Sequence, residues 1–166
     1  MREVRHSANT YIRVSKMTLN KKNRQVPINI STIRIHAPVD KVWNALTDPE
    51  LVKLWQYGSV LATSWNVGDD IRFTTAWDGK VFEQWGKILE VKPNRLIRYS
   101  LFAPRPGVED KPGNYFIMNY SLTETKTGTE LQIIQEDNRP NAVQEEPQGE
   151  ENPVLKGLKD LIESAV

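Results

Sequence analysis

The feature that most restricts the fold is a run of six strand-like segments between residues 60 and 137. Short turn sequences separate them, and two of these, Asp78-Gly79 and Pro93-Asn94, are typical of tight hairpin turns. The segments lie near residues 60–65, 70–77, 80–91, 95–103, 114–124 and 129–137. Apolar and polar residues alternate within them, which is the pattern of a sheet with one buried face. The chain therefore predicts an antiparallel meander whose apolar face needs a cover.

The segments before the meander predict one more strand and two short helices. Residues 25–38 are rich in β-branched residues and predict the first strand. Residues 39–46 place their apolar side chains on one helical face. Asp48 can cap free backbone N–H groups while Pro49 occupies the first helical position, so this pair predicts the start of a second helix.

The end of the chain predicts the cover for the sheet. Asn152-Pro153 begins a third helix in the same way, with Leu155 and Leu158 on its apolar face. We therefore expect an α+β helix-grip fold. In this fold a curved antiparallel sheet of about seven strands wraps round a long C-terminal helix, with two short helices after the first strand. Residues 25–166 form a single domain in this prediction. The acidic connection, residues 136–151, has the composition of a mobile loop.

Four stretches of the sequence carry a family pattern: "IRIHAPVDKVWNALTDPELVKLW", "WNVGDDIRF", "GKVFEQWGKILEVKPNRLIRYSLF" and "GTELQIIQEDN". They resemble the SRPBCC or START-like superfamily, which includes the Bet v allergens. Within it the chain is most similar to homologues of the activator of heat-shock protein 90 ATPase. The match spans roughly residues 27–165, most of the chain, and its motifs are turns and core positions, so they specify a fold better than an activity. The resemblance implies an internal pocket for an apolar or amphipathic small molecule.

The first 24 residues differ in charge from the rest of the chain. They contain seven Lys or Arg and one Glu, a net charge of +6, whereas the whole chain has a net charge of +1. Basic arms can contact nucleic acid or anionic membranes, but chain termini are often loose. We therefore expect residues 1–24 to form a flexible arm with no specific nucleic-acid partner. Met17 is an alternative start, which would place residues 1–16 outside the native protein.

The sequence predicts a cytoplasmic protein without a metal or other cofactor. No apolar run is long enough to span a bilayer, and the N-terminus lacks the apolar segment of a secretory signal. The chain has no Cys, and its two histidines are His6 in the arm and His36 at the end of the first strand. Such a set offers no cluster of transition-metal ligands. No catalytic residue can be assigned, although Glu83 would suit acid–base chemistry if it were buried. Of the two alternatives, we expect exposure of Glu83 on the convex face, because unpaired acids are rarely buried.

Aromatic residues with polar tips suggest where a ligand would lie. Such side chains suit a pocket that holds an apolar ligand and hydrogen-bonds one end of it, although each could equally be core packing. We expect residues 103–114 to form a lid over the mouth. We also expect Trp43 to anchor the first helix and Trp55 to guard the entrance. The predicted ligand-binding residues are Trp55, Tyr57, Phe73, Trp77, Tyr99, Leu101, Phe116, Met118, Tyr120 and Leu158.

Three functions follow from these expectations. The leading one is binding, transport or sensing of a hydrophobic or amphipathic small molecule in an internal cavity. The first alternative is a cyclase-like or hydrolase-like enzyme that uses pocket Tyr and Glu groups. The second alternative is a module that stimulates a chaperone ATPase, as the resemblance implies. A homodimer is a further prediction about partners.

Overall fold

The computed structural model describes residues 26–165. The predicted basic arm, residues 1–24, therefore lies outside the described residues. The elements in chain order are β1 (Ile28–Ile35), α1 (Val39–Thr47), α2 (Pro49–Trp55), β2 (Val60–Thr63), β3 (Asp70–Trp77), β4 (Lys80–Lys92), β5 (Leu96–Leu101), a single 3₁₀ turn (Pro112–Asn114), β6 (Phe116–Thr125), β7 (Gly128–Asp137) and α3 (Pro153–Ser164). This order confirms the predicted α+β helix-grip fold.

The seven strands form one antiparallel sheet in the order β1-β7-β6-β5-β4-β3-β2. Strand β4 is 13 residues long and changes partners along its length: it pairs with β3 from Lys80 to Lys87 and with β5 from Ile88 onward. Gly86 lies at this change, and a Cβ there would overlap the backbone carbonyl of Ser100. The absence of a side chain at this position therefore lets β4 and β5 approach closely where the sheet curves.

The helices begin where the sequence predicts. The Asp48 side chain accepts a hydrogen bond of 2.9 Å from Glu50 N at the start of α2. At the start of α3, Asn152 accepts hydrogen bonds from the backbone N–H groups of Val154 and Leu155. Each cap satisfies donors that the first helical turn leaves without an intrahelical partner. These caps fix where the two helices enter the domain.

The main core lies between the concave face of the sheet and the three helices. Helix α3 contributes its apolar side to this core through Leu155, Leu158 and Ile162, all buried. Val42 of α1 and Val52 of α2 are fully buried in the same cluster. The helices thus cover the apolar face that the alternating pattern of the strands requires.

The expectation that Trp55 guards the entrance is wrong. Trp55 is buried, and its indole Nε1 donates a hydrogen bond of 2.8 Å to the carbonyl oxygen of Ala45. This bond joins α2 to α1, because buried indole N–H groups need an acceptor. Trp43 is half-buried against the core, in accord with its expected role as an anchor of α1.

The expectation that the acidic connection is unpacked is also wrong. Gln148 pairs in parallel with β1: its N–H donates to Ile30 O and its carbonyl accepts from Thr32 N, each at 2.9 Å. Glu145 N donates to the Asn29 side chain at 2.8 Å. Strand β1 is the edge of the sheet, so its free N–H and C=O groups provide partners that the composition of the connection does not reveal.

Candidate ligand-binding cavity

A cavity of about 560 Å³ lies on the concave face of the sheet, between the strands and the first turn of α3. The end of α2 and the acidic connection complete its wall. Its lining residues are Asn29, Ile30, Ser31, Trp55, Gln56, Tyr57, Ser59, Phe73, Thr75, Phe82, Gln84, Tyr99, Leu101, Phe116, Met118, Tyr120, Ile133, Gln135, Glu145, Glu146, Gln148, Asn152, Val154 and Leu155. The volume is in the range of about 300–1,000 Å³ that is usual for small-molecule sites.

The deep wall of the cavity is an aromatic cluster centred on Tyr99. The ring of Tyr99 packs against Phe73 with centroids 5.9 Å apart, and perpendicular to Tyr120 with centroids 5.7 Å apart. All three side chains are buried. Perpendicular and tilted arrangements are the ones that aromatic quadrupoles favour. The cluster therefore gives the cavity an ordered apolar surface.

Two phenol groups provide hydrogen-bonding capacity within this apolar wall. The Tyr99 and Tyr120 hydroxyls form a hydrogen bond of 2.7 Å with each other. Burial raises the pKa of Tyr99 well above its ordinary value, and the neighbouring Tyr120 adds to the rise. Burial also raises the pKa of Tyr120, against hydrogen bonds from Tyr99 and Gln56. Both phenols are consequently protonated at neutral pH, and their shared bond uses only one of their two hydroxyl protons.

The cavity becomes more polar toward its mouth, where the exposed Gln84, Glu145 and Gln148 line it. Within the wall, Thr75 Oγ1 lies 3.2 Å from Oγ of the buried Ser59. The aromatic ring of Phe82 is at the mouth and is 53% exposed. A molecule that fits this gradient has an apolar part deep in the cavity and a polar part near solvent.

The structure brings eight of the ten predicted ligand-binding residues to the cavity. These are Trp55, Tyr57, Phe73, Tyr99, Leu101, Phe116, Met118 and Tyr120. Their contact with a ligand remains a prediction. The other two do not line it. Trp77 is 72% exposed at the end of β3, beside the hairpin turn, and Leu158 is fully buried in the packing of α3 against the core.

Sequence reasoning missed the polar lining residues. Gln84 could have been found from the parity of β4, because it shares the inward face with Phe82 while Glu83 points outward. Glu145 and Glu146 carried no such signal, since their place at the cavity depends on how the connection pairs with β1.

The expected lid, residues 103–114, packs on the opposite face of the sheet and does not line the cavity. Asp110 in this loop accepts hydrogen bonds from Trp85 Nε1 at 2.8 Å and from the Tyr115 hydroxyl at 2.5 Å. Phe102 packs between these two aromatic residues, with its centroid 5.4 Å from each. The role of a lid is wrong for this loop because its aromatic partners point to the convex face.

Glu83 also lies on the convex face, as the alternative expectation had it. It is exposed and forms an ion pair of 2.9 Å with Arg72, whose guanidinium lies 5.2 Å from the centroid of the Trp85 ring. Glu83 and Tyr99 therefore face opposite sides of the sheet. Within residues 26–165, no group of three or more His, Cys, Asp and Glu side chains is arranged to hold a metal ion. No helix in the same residues is long and apolar enough to cross a membrane.

The curved sheet and the C-terminal helix that packs on it define a helix-grip domain of the SRPBCC superfamily. Residues 36–163 match the family model described as "Activator of Hsp90 ATPase homolog 1-like protein", and the chain belongs to this family. No curated protein sequence matches the chain.

Solved structures agree with this assignment. The solution structure of ChR145 from Cytophaga hutchinsonii is 31% identical, covers 85% of this chain and 97% of its own, and gives a TM-score of 0.67. The crystal structure of CV1439 from Chromobacterium violaceum is 26% identical over 82% of this chain and 96% of its own, with a TM-score of 0.62. Ara h 8.0201 is 14% identical over 84% of this chain and 99% of its own, with a TM-score of 0.62, and supports the fold alone.

Proposed function

We propose that the protein binds a hydrophobic or amphipathic small molecule in the cavity on the concave face of its sheet. The observation that carries this proposal is the cavity itself, about 560 Å³ in volume, with a deep aromatic wall and a mouth that includes Phe82. Binding of an apolar group there would remove both the ligand and the wall from water. Each Å² of apolar surface buried contributes about 25 cal/mol.

The Tyr99–Tyr120 pair would orient the ligand. An apolar site with a small number of placed polar groups usually uses those groups to select one end of its ligand. The hydroxyl proton that the pair does not use internally can be donated to a carbonyl, ether or hydroxyl oxygen of the ligand. The raised pKa values of both phenols keep this donor available throughout the neutral range.

The experiment is native mass spectrometry of the freshly purified protein, followed by displacement of N-phenyl-1-naphthylamine, a neutral fluorescent probe of apolar sites. Thr75→Trp places an indole in the cavity and should abolish probe binding. Thr74→Trp is the matched control, because Thr74 precedes it on β3 and lies on the convex face. Equal probe binding by both variants, or no binding by the unaltered protein, would overturn the proposal.

The family description favours a second candidate, stimulation of an Hsp90-type ATPase. Its test is a pull-down with the chaperone and an ATPase assay with the full chain. Stimulation that persists in Thr75→Trp would separate this role from the cavity. The enzymatic alternative cannot use Glu83 together with a cavity tyrosine such as Tyr99, since the two side chains lie on opposite faces of the sheet. A cytoplasmic location and a homodimer stay predictions, testable by fractionation and light scattering.

A further inference from the structure

The charged groups that line the cavity are all negative in the described part of the chain. Among residues 26–165, Glu145 and Glu146 line it, and no Lys, Arg or His does. Arg139 comes near, with its guanidinium 4.5 Å from the centroid of the Phe116 ring. It is neutralised, however, by an ion pair with Asp137 that uses two bonds, of 2.8 and 2.7 Å. A ligand in this cavity therefore meets a negative electrostatic potential near the mouth.

The backbone beside the two glutamates is attached to the sheet, and neither carboxylate is paired within residues 26–165. The backbone N–H of Glu145 is fixed by its hydrogen bond to Asn29, which attaches this part of the connection to β1. Neither Glu145 nor Glu146 uses its carboxylate in a hydrogen bond or ion pair within the described part of the chain. Nearby Glu150 differs, because it is paired with Lys159.

The cavity mouth continues into a second depression of about 630 Å³. This depression is lined by Glu145, Glu146, Pro147, Gln148, Glu151, Asn152 and Pro153, four of which also line the cavity. A molecule can therefore lie across both, with one part on the aromatic wall and the other among the carboxylates. The acidic side chains of the described residues form no cluster suited to a metal ion, so an organic cation fits this depression better.

We propose that the ligand is a cationic amphiphile, with its apolar body in the cavity and its positively charged nitrogen beside Glu145 and Glu146. This inference rests on the proposed function and specifies the chemical class of the ligand. The carboxylates attract a cation and repel an anion at the same position. Their effect is strong within roughly 10 Å, the screening length at an ionic strength of 0.1 M.

The test compares three ligands that share one twelve-carbon chain: dodecyltrimethylammonium, dodecanol and dodecanoate. Each is titrated into the full-length protein below its critical micelle concentration, with displacement of N-phenyl-1-naphthylamine as the readout. At low salt the cation should bind about tenfold more tightly than the anion, with the alcohol between them. The difference should shrink as salt is added.

Variants identify the source of the preference. The double variant E145Q/E146Q should bring the affinities of the cation and the anion to within about twofold of each other. The control is D40N/E124Q, which removes two carboxylates from a different surface depression and should keep the preference.

Each outcome has a separate meaning. Tighter binding of dodecanoate or equal binding of the three ligands would overturn the cationic assignment. A cation preference that survives in E145Q/E146Q would overturn the placement of the charged nitrogen beside these two carboxylates. Each of these outcomes leaves the proposed function intact. Failure of all three ligands, together with failure of the neutral probe, would overturn both.

Discussion

The two faces of the sheet each carry an aromatic cluster built round a tyrosine hydroxyl, and the clusters differ in what that hydroxyl contacts. On the concave face, Tyr99 and Tyr120 bond to each other within the wall of a cavity. On the convex face, Tyr115 donates to the carboxylate of Asp110, which also accepts from Trp85. The first pair keeps a proton for a further partner, whereas the second is satisfied by the loop that packs over it. The comparison indicates which cluster is suited to receive a ligand.

The largest expected effect is a loss of stability at Gly86, where the close approach of β4 and β5 shapes both faces of the sheet. Gly86→Ala would place a Cβ against the Ser100 carbonyl and force β4 and β5 apart. We expect a loss of about 3 kcal/mol in the free energy of unfolding, the upper part of the usual range for overpacking. Urea denaturation measures it. Gly157→Ala, where an added Cβ meets no atom within 4 Å, should not destabilise the protein. A stable Gly86→Ala variant would show that the curvature does not depend on this contact.

The second prediction concerns alkaline pH and separates the clusters by the pKa values of their phenols. Because the folded-state pKa of Tyr99 is raised, its contribution to stability is complete below pH 10 and is lost as the pH rises above that value. Each phenol that stays protonated only when folded lowers the free energy of unfolding by about 1.4 kcal/mol per pH unit above 10. Burial and the neighbouring Asp110 raise the pKa of Tyr115 on the convex face to about 12, so this phenol should also stay protonated at pH 10.

Ultraviolet absorbance of phenolate during an alkaline titration measures the ionisation of these tyrosines. Tyr115→Phe should remove a transition near pH 12, while Tyr99→Phe should make unfolding less sensitive to pH above 10. A chain in which Tyr99 ionises reversibly near pH 10 without unfolding would contradict the buried state of the pair.

The third prediction uses the same chemical change on each face. Tyr99→Phe removes a hydroxyl from the cavity wall and should cost about 1 kcal/mol of stability. It should also weaken binding of dodecanol about fivefold, because the variant loses a hydroxyl of the pair that hydrogen-bonds the alcohol. Tyr115→Phe should cost less stability, because its partner Asp110 is exposed, and should leave binding unchanged. Calorimetry with both variants measures the difference, and equal losses of affinity would remove the distinction between the clusters.

The contrast between the faces explains how far the sequence could predict the structure. Strand alternation, the helix-capping pairs Asp48-Pro49 and Asn152-Pro153, and the turn residues are local, and they gave the element order correctly. The role of Trp55 was misjudged because its hydrogen-bond acceptor, Ala45, lies on another helix. Contacts between different elements cannot be predicted from local sequence patterns, and tertiary packing can override what those patterns indicate.

The candidate site could be predicted only where it depends on local patterns. Inward-facing aromatics such as Phe73 follow from strand parity. Trp77 shares that parity but lies beyond the covered part of the sheet, where parity alone cannot distinguish a cavity wall from an exposed tip. The position of the Glu145 and Glu146 carboxylates could not be predicted from the sequence, since they reach the cavity only because the connection pairs with the edge strand β1.

The smallest expected effect comes from two neighbours on β4 that point in opposite directions. Glu83 forms an ion pair with Arg72 on the convex face, and both side chains are nearly half exposed. Pairs of this kind contribute little, so Glu83→Gln should change stability by about 0.5 kcal/mol or less and leave affinity for dodecyltrimethylammonium unaltered. Gln84→Trp, one residue further on, adds bulk at the cavity wall and should weaken that binding. Titration of both variants with dodecyltrimethylammonium under identical conditions therefore shows which of the two side chains faces the cavity. A loss of affinity in Glu83→Gln alone would place the ligand on the convex face and reverse the assignment.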